Sequence, residues 1–181
     1  RDVLDAARAL LAARNPIIIA GQGVLYANAS GELVSLAELL NVPVMTTLAG
    51  KSAFPEHHPL ALGCGGSSVI TGPVGRLLPR ADLVFGIGTS FTTHGMTLPV
   101  PAGKVIIHAT NDPVDIDKYY VADHPLIGDA RLVLRQFSEA CEEVLNGRSR
   151  GENSVAGEIA QARREWMAGW TKKLTSDEVP I

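Results

Sequence analysis

The stretch Asn15-Pro-Ile-Ile-Ile-Ala-Gly-Gln-Gly23 decides the fold. Before it, Val3, Leu4, Ala7, Leu10 and Leu11 recur at helical spacing, and the Asn15-Pro16 step ends that helix, because a proline disfavours helical geometry in its predecessor. Pro16 to Ala20 is continuously apolar and rich in β-branched residues, with no polar alternation, which predicts a strand buried on both faces of a parallel sheet. Gly21 then opens a turn. Downstream, Leu33, Leu36, Ala37 and Leu40 share one face of a second helix, with Ser30 as its expected cap, and Val42 to Thr46 forms the next strand. The same alternation continues with a helix near Gly72 to Pro79, a buried strand from Asp82 to Ile87 and a strand from Lys104 to His108. A short helix from Pro113 to Tyr119 opened by Asp112, a brief strand from Pro125 to Ile127 and an amphipathic helix from Arg131 to Leu145 complete it. Helices between strands too apolar for a wet face imply an α/β fold, a doubly wound sheet of about six parallel strands flanked by helices. Ligands in such a sheet belong at the C-terminal ends of its strands.

Composition bounds the function classes. The 181 residues are 46% hydrophobic and 19% charged, a mixture that excludes disordered, collagenous and coiled-coil chains. Sixteen Lys plus Arg against nineteen Asp plus Glu leave no basic stripe for nucleic acid, and no apolar run approaches the roughly 20 residues of a membrane span. Cys64 and Cys141 are too far apart in sequence for a CxxC motif and read as free thiols of a cytoplasmic protein. The chain starts at Arg1 and runs straight into a helix, which reads as a piece of a longer protein. Composition shifts to Gly, Arg, Ser and Asn between Asn146 and Ser154, so the expected organisation is a compact domain over 1–147, then a linker and C-terminal helix over 148–181. Val155, Ile159, Ala162, Trp166 and Trp170 lie on one side of that helix, a stripe expected outside the compact fold and suited to packing or to covering a neighbouring domain. Exposed Trp166 and Trp170 would favour dimerisation at high concentration.

Three glycine-rich segments are candidates for binding. Gly21-Gln-Gly23 could admit a phosphate to backbone N–H groups, or simply permit a tight turn. A dinucleotide fingerprint would need a third glycine where Tyr26 stands and an acid where Thr46-Thr47-Leu48 stand, which disfavours an ordinary NAD dehydrogenase. Gly63-Cys-Gly-Gly66 with Ser67 and Ser68 has the composition of an anion-binding loop or of a flexible one. Gly86-Ile-Gly-Thr-Ser90 ends a central strand, where small residues floor a cleft and hydroxyls donate. His57, His58, His94, His108 and His124 carry no metal-ligand spacing, and Asp112, Asp115, Asp117, Asp123 and Asp129 read as caps or turns. No nucleophile and base pair is legible, so no catalytic or metal-ligating residue is assigned.

Taken in order, several segments resemble the central domain of thiamine diphosphate-dependent enzymes of the acetolactate synthase, pyruvate decarboxylase and benzoylformate decarboxylase superfamily. They are residues Asn15 to Gly23, Leu39 to Pro55, His58 to Gly63, Ala81 to Gly88, His108 to Pro113 and Gly128-Asp-Ala130. The resemblance implies a Rossmann-like, DHS-like NAD/FAD-binding fold within a larger chain. A pyrimidine-binding domain would precede it and a diphosphate-binding domain would follow, toward which Ser176 to Ile181 leads. Thiamine diphosphate (TPP) and Mg2+ would be held by those domains in a cytoplasmic homodimer or tetramer. The parent would be a decarboxylase or carboligase of a 2-oxo acid, this piece being its non-catalytic scaffold. Relatives hold FAD, ADP or no nucleotide here, which places Gly21, Gly23, Thr47, Leu48, Gly63, Gly65, Gly86, Gly88 and Asp129 around such a ligand. The chain departs from the flavin-binding pattern at Thr89 to His94, where the synthases have an arginine and acidic residues, and at Thr110, where they have an aspartate. Two rivals remain: a pure interdomain and oligomerisation module with a vestigial cleft, and an independent NAD-binding enzyme.

Overall fold

The computed structural model describes residues 1–66, 69–93, 95–150 and 155–176. Strand β1 (Pro16–Ala20) is buried along its whole length at the centre of the sheet. On one side lie β2 (Val44–Thr47), β3 (Ala61–Gly66) and the two-residue β4 (Val69–Ile70); on the other lie β5 (Leu83–Ile87), β6 (Val105–Thr110) and β7 (His124–Ile127). Six strands are parallel, as expected, and β4 alone turns back antiparallel on β3 at the edge. Ile18 sits between Val44 and Phe85, so the register places branched or aromatic side chains on one another across the centre.

Alternation along β1 sends Ile18 and Ala20 to one face and Ile17 and Ile19 to the other. The first face is covered by α1 (Asp2–Ala12), α3 (Ser30–Leu40) and α5 (Ala130–Leu145), which bury Leu10, Leu36 and Phe137. Phe137 stacks on Phe85 with ring centroids 4.6 Å apart. Between α1 and α3, the five-residue α2 (Gln22–Tyr26) follows directly from β1. The second face is covered by α4 (Gly72–Leu77) and α6 (Val155–Leu174), which set Val74, Leu77 and Ile159 against Ile17, Ile19 and Val84. Helices on both faces make the sheet doubly wound.

Four expectations change. Residues 61–66 form a strand rather than a loop, because their glycines let β3 lie flat against the side chain of Met45. Ser30 is the first residue of α3, whose cap position is Ala29 and receives no side-chain bond. The helix expected over Pro113 to Tyr119 shrinks to a 3-10 turn at Pro113–Asp115, since Ile116 is extended and Asp117 has φ of +58°. Asp112 does cap that turn, accepting the Val114 N–H at 3.0 Å. Finally, α6 packs against the compact fold instead of standing outside it. Ile159 is fully buried, the Trp166 side chain lies over Gly72, Arg80 pairs with Glu158 at 2.6 Å, and Arg163 donates to the Ala61 carbonyl at 2.7 Å. The outer end, with Trp170 at 42% exposure, remains open. Residues 151–154 of the expected linker and 177–181 lie outside the described residues.

Candidate functional site: the cleft at the switch point

From β1 the chain moves outward through β2 and β3, whereas from β5 it moves the opposite way through β6 and β7. The loops leaving β1 and β5 therefore diverge, and a cleft of about 510 Å3 opens at their C-terminal ends. Its floor is made of backbone in contact with backbone. The Gly21 N–H donates to the Ile87 carbonyl at 2.9 Å and the Gly23 N–H to the Gly88 carbonyl at 2.8 Å. A Cβ on Gly21 would lie 2.6 Å from the Thr89 Cα; one on Gly88, whose φ is +59°, would lie 2.6 Å from the Val24 nitrogen. These glycines are required by the approach of the two turns, and those two N–H groups are engaged within the protein.

The walls are apolar on one side and hydroxyl-rich on the other. Met45 and the 41% exposed Leu48 form the first, with Gly65 leaving room for the Met45 side chain. Phe91 forms the second in an unusual conformation. Its φ of +52° is rare for a bulky residue, and Thr89 Oγ1 stabilises the turn by accepting the Phe91 N–H at 3.1 Å. The Phe91 ring meets His108 and Tyr120 edge to face at 4.7 and 5.6 Å, and the Tyr120 hydroxyl accepts the Val100 N–H at 3.0 Å. His108 is almost wholly buried and its Nε2 donates to the Thr89 carbonyl at 2.8 Å. Burial lowers its pKa, opposed by that hydrogen bond and by Asp115 and Asp117. At the rim, Thr110 Oγ1 accepts the Asp112 N–H at 3.2 Å and donates weakly to Asp115 at 3.4 Å.

Of the residues expected around a ligand, Gly21, Gly23, Thr47, Leu48, Gly65 and Gly88 line the cleft. Gly63, Gly86 and Asp129 do not. Gly63, with φ of +93°, backs onto Thr71 at the sheet edge; Gly86 lies beneath the floor, where the Phe91 ring fills the space a side chain would need. Asp129 caps α5 by accepting the Arg131 and Leu132 N–H groups at 3.0 and 3.2 Å. Ser67, Ser68 and His94 lie outside the described residues. Sequence reasoning missed Met45, Phe91, Asp115 and Tyr120 as lining residues; a bulky aromatic among the hydroxyl residues after Gly88 was the one readable sign. Among the described residues, no group of three His, Cys, Asp or Glu could hold a metal ion.

Residues 3–137 match the family described as "Thiamine pyrophosphate enzyme, central domain". The chain belongs to that family. It is 38% identical over its whole length to a protein of Methanococcus aeolicus named "Probable acetolactate synthase large subunit", of which it covers 29%. Over 76% of its length it is 41% identical to the protein of the same name from Methanocaldococcus jannaschii, covering 24% of it. Among solved structures, benzoylformate decarboxylase from Polynucleobacter necessarius superposes with a TM-score of 0.64 at 26% identity, over 84% of this chain and 28% of that one. The chain thus spans less than a third of the length of the curated relatives it matches.

The ligand that the resemblance implies for the cleft of this central domain is FAD or ADP. A diphosphate needs cations or free N–H groups. Among the described residues lining the cleft there is no Lys or Arg, and the one charged side chain is Asp115. With the Gly21 and Gly23 N–H groups engaged, what the lining offers the diphosphate of FAD or ADP is neutral, the Gln22 and Asn111 amides and the Ser90, Thr92 and Thr93 hydroxyls, with no compensating cation among the described residues.

Proposed function

We propose that this domain is the non-catalytic centre of a thiamine diphosphate-dependent, acetolactate synthase-like decarboxylase or carboligase acting on a 2-oxo acid. The observation that carries the reading is the match of residues 3–137 to the central domain of that family, in a chain that fills less than a third of its relatives. Thiamine diphosphate, held with Mg2+ by flanking pyrimidine- and diphosphate-binding domains, supplies the nucleophilic carbon and the electron sink for loss of CO2. This chain's residues do something else. The sheet fixes the distance between the flanking domains, and the open outer end of α6, with Met167, Trp170 and Leu174 exposed, offers them or a second copy an apolar contact. The parent is then a cytoplasmic homodimer or tetramer. No described helix is long and apolar enough to cross a membrane.

The test uses the full-length protein. Denaturation should release thiamine diphosphate, identified by mass spectrometry, and the native protein should liberate CO2 from pyruvate or another 2-oxo acid only with thiamine diphosphate and Mg2+ present. Absence of thiamine diphosphate, with none bound on adding it back with Mg2+, overturns the reading. Turnover by the isolated chain that depends on NAD would support the independent enzyme instead.

A further inference from the structure

The last helix runs out of cover before it ends. In α6, Ile159 and Ala162 are buried and the Trp166 side chain lies over Gly72, but every described side chain from Met167 to Leu174 is exposed. We infer that this exposed end is the seat on which the part of the parent chain that follows residue 181 packs, through an apolar surface with hydrogen-bond acceptors at its rim. The inference rests on the reading above for the existence of flanking domains, and it names which of them takes the face.

Three observations carry it. The first is the pattern: Met167, Trp170 and Leu174 share one side of the helix at helical spacing and are 42%, 42% and 66% exposed. Helices draw most of their stability from packing of such an apolar side, which a covering surface would supply here. The second is the size of the face set against the reach of the chain. Three side chains offer at most a few hundred Å2, well below the roughly 800 Å2 that each partner of a standard interface contributes, so the face is too small to hold a second copy by itself. A partner on the same chain needs less. The chain is a central domain filling less than a third of its relatives, and the five residues from Asp177 to Ile181 reach at most about 18 Å, which puts the next part of the parent beside the face at an effective concentration of order millimolar. The third is charge. Lys173 Nζ lies over the Trp170 ring, 4.8 Å from its centroid, and an ammonium held by a ring face keeps N–H donors for acceptors on whatever covers the tryptophan. Two-fold pairing of the face on itself would instead gather two such ammoniums in one small patch.

The test uses the full-length parent. Leu174→Cys, within the face, and Ala168→Cys, exposed on another side of the same helix, are labelled with iodoacetamide and quantified by peptide mass spectrometry. Labelling at 174 should be at least about tenfold slower than at 168 and independent of protein concentration. Separately, Lys173→p-benzoylphenylalanine puts a photoreactive group at the rim. Illumination should link it to residues beyond 181 within one polypeptide, so the product keeps the monomer's mass on a denaturing gel. Equal labelling at 174 and 168 overturns the inference, as does protection that appears only at high protein concentration. A link that doubles the mass, a link to the part preceding residue 1, or no link at all each overturns it too. Thiamine diphosphate is measured on the same sample. If it is bound and the face is free, the inference alone falls. If it is absent and none binds on addition with Mg2+, the family-level function fails whatever the labelling shows.

Discussion

The two ends of the sheet hold neighbouring loops together by opposite means. At the N-terminal end the fastening is ionic and reaches across the fold. Asp82 accepts the Arg14 and Asn15 N–H groups at 2.7 and 2.8 Å, and Lys104 donates to the Pro79 and Ala81 carbonyls at 3.0 and 2.6 Å. Arg150 donates to the Ala13 and Leu40 carbonyls at 2.7 and 3.3 Å, so one guanidinium ties the C-terminal ends of α1 and α3 together. Burial lowers the Arg150 pKa, countered by Asp82, although a guanidinium stays charged at any ordinary pH. At the C-terminal end the fastening is backbone on backbone, Gly21 and Gly23 against Gly88, and among the described residues the side chains that line the cleft there are neutral apart from Asp115. Charge is concentrated where the fold closes on itself. The end left open for a ligand is joined by groups that need no side chain.

The sharpest way to break this comparison is to put a side chain into the backbone contact. Gly88→Val combines a φ of +59° with a Cβ 2.6 Å from the Val24 nitrogen, and neither turn can retreat without breaking the paired ladder. The expected loss is about 4 kcal/mol or more, read as a collapse of the urea midpoint or of soluble yield. A tolerated valine would mean that the turns are free to separate and that the glycines serve a ligand after all.

At the other end the corresponding variant is Asp82→Ala. It removes the acceptor for both N–H groups at the α1–β1 junction, and the expected cost is about 2 kcal/mol in urea unfolding. Asp82→Asn, which retains one carbonyl oxygen, should recover part of it. The ordering of the two ends is what the pair of variants measures: the neutral end should be the less forgiving.

How much of this was visible beforehand depends on what kind of residue carries the structure. β1, β5 and the first half of β6 are continuous apolar runs, so their burial on both faces was legible from composition and length alone. β3 was not, because Ala61-Leu-Gly-Cys-Gly-Gly66 has the composition of a loop and becomes a strand only through β2 beside it. The stripe on α6 was legible as a stripe, but the surface under Trp166 on α4 is the bare backbone of Gly72, which has no hydrophobic signature. The candidate site divides the same way. The glycine turns could be located, whereas their use in mutual packing, and the convergence of Phe91, Tyr120 and Asp115 from separate loops, depend on tertiary geometry.

A smaller effect ties the cleft wall to pH. His108 is buried with a pKa below its ordinary value, so between that lowered value and about 6.5 the unfolded chain binds more protons than the folded one. The contribution to stability is therefore complete above pH about 6.5 and is lost as pH falls through the window, with a slope of at most about 1.4 kcal/mol per pH unit. Urea midpoints measured from pH 7.5 down to 5 should show that decline, and His108→Gln should flatten it while lowering stability throughout. An unchanged slope in the variant would place the titration elsewhere and remove His108 from the account of the wall.

The smallest expected effect separates a glycine that is required from one that is not. Gly31 lies in the first turn of α3, and a Cβ there meets nothing within 4 Å, in contrast to Gly21 and Gly88. Its φ is not in the left-handed region, so alanine can adopt the same backbone while restricting the unfolded chain. Gly31→Ala should therefore stabilise the fold by about 0.5 kcal/mol, seen as a small rise in Tm. The opposite signs at Gly31 and Gly88 follow from two physical differences, the backbone that faces Gly88 and its left-handed φ. If Gly88→Val proved as mild as Gly31→Ala, the close approach of the β1 and β5 turns would not be what holds the floor of the cleft.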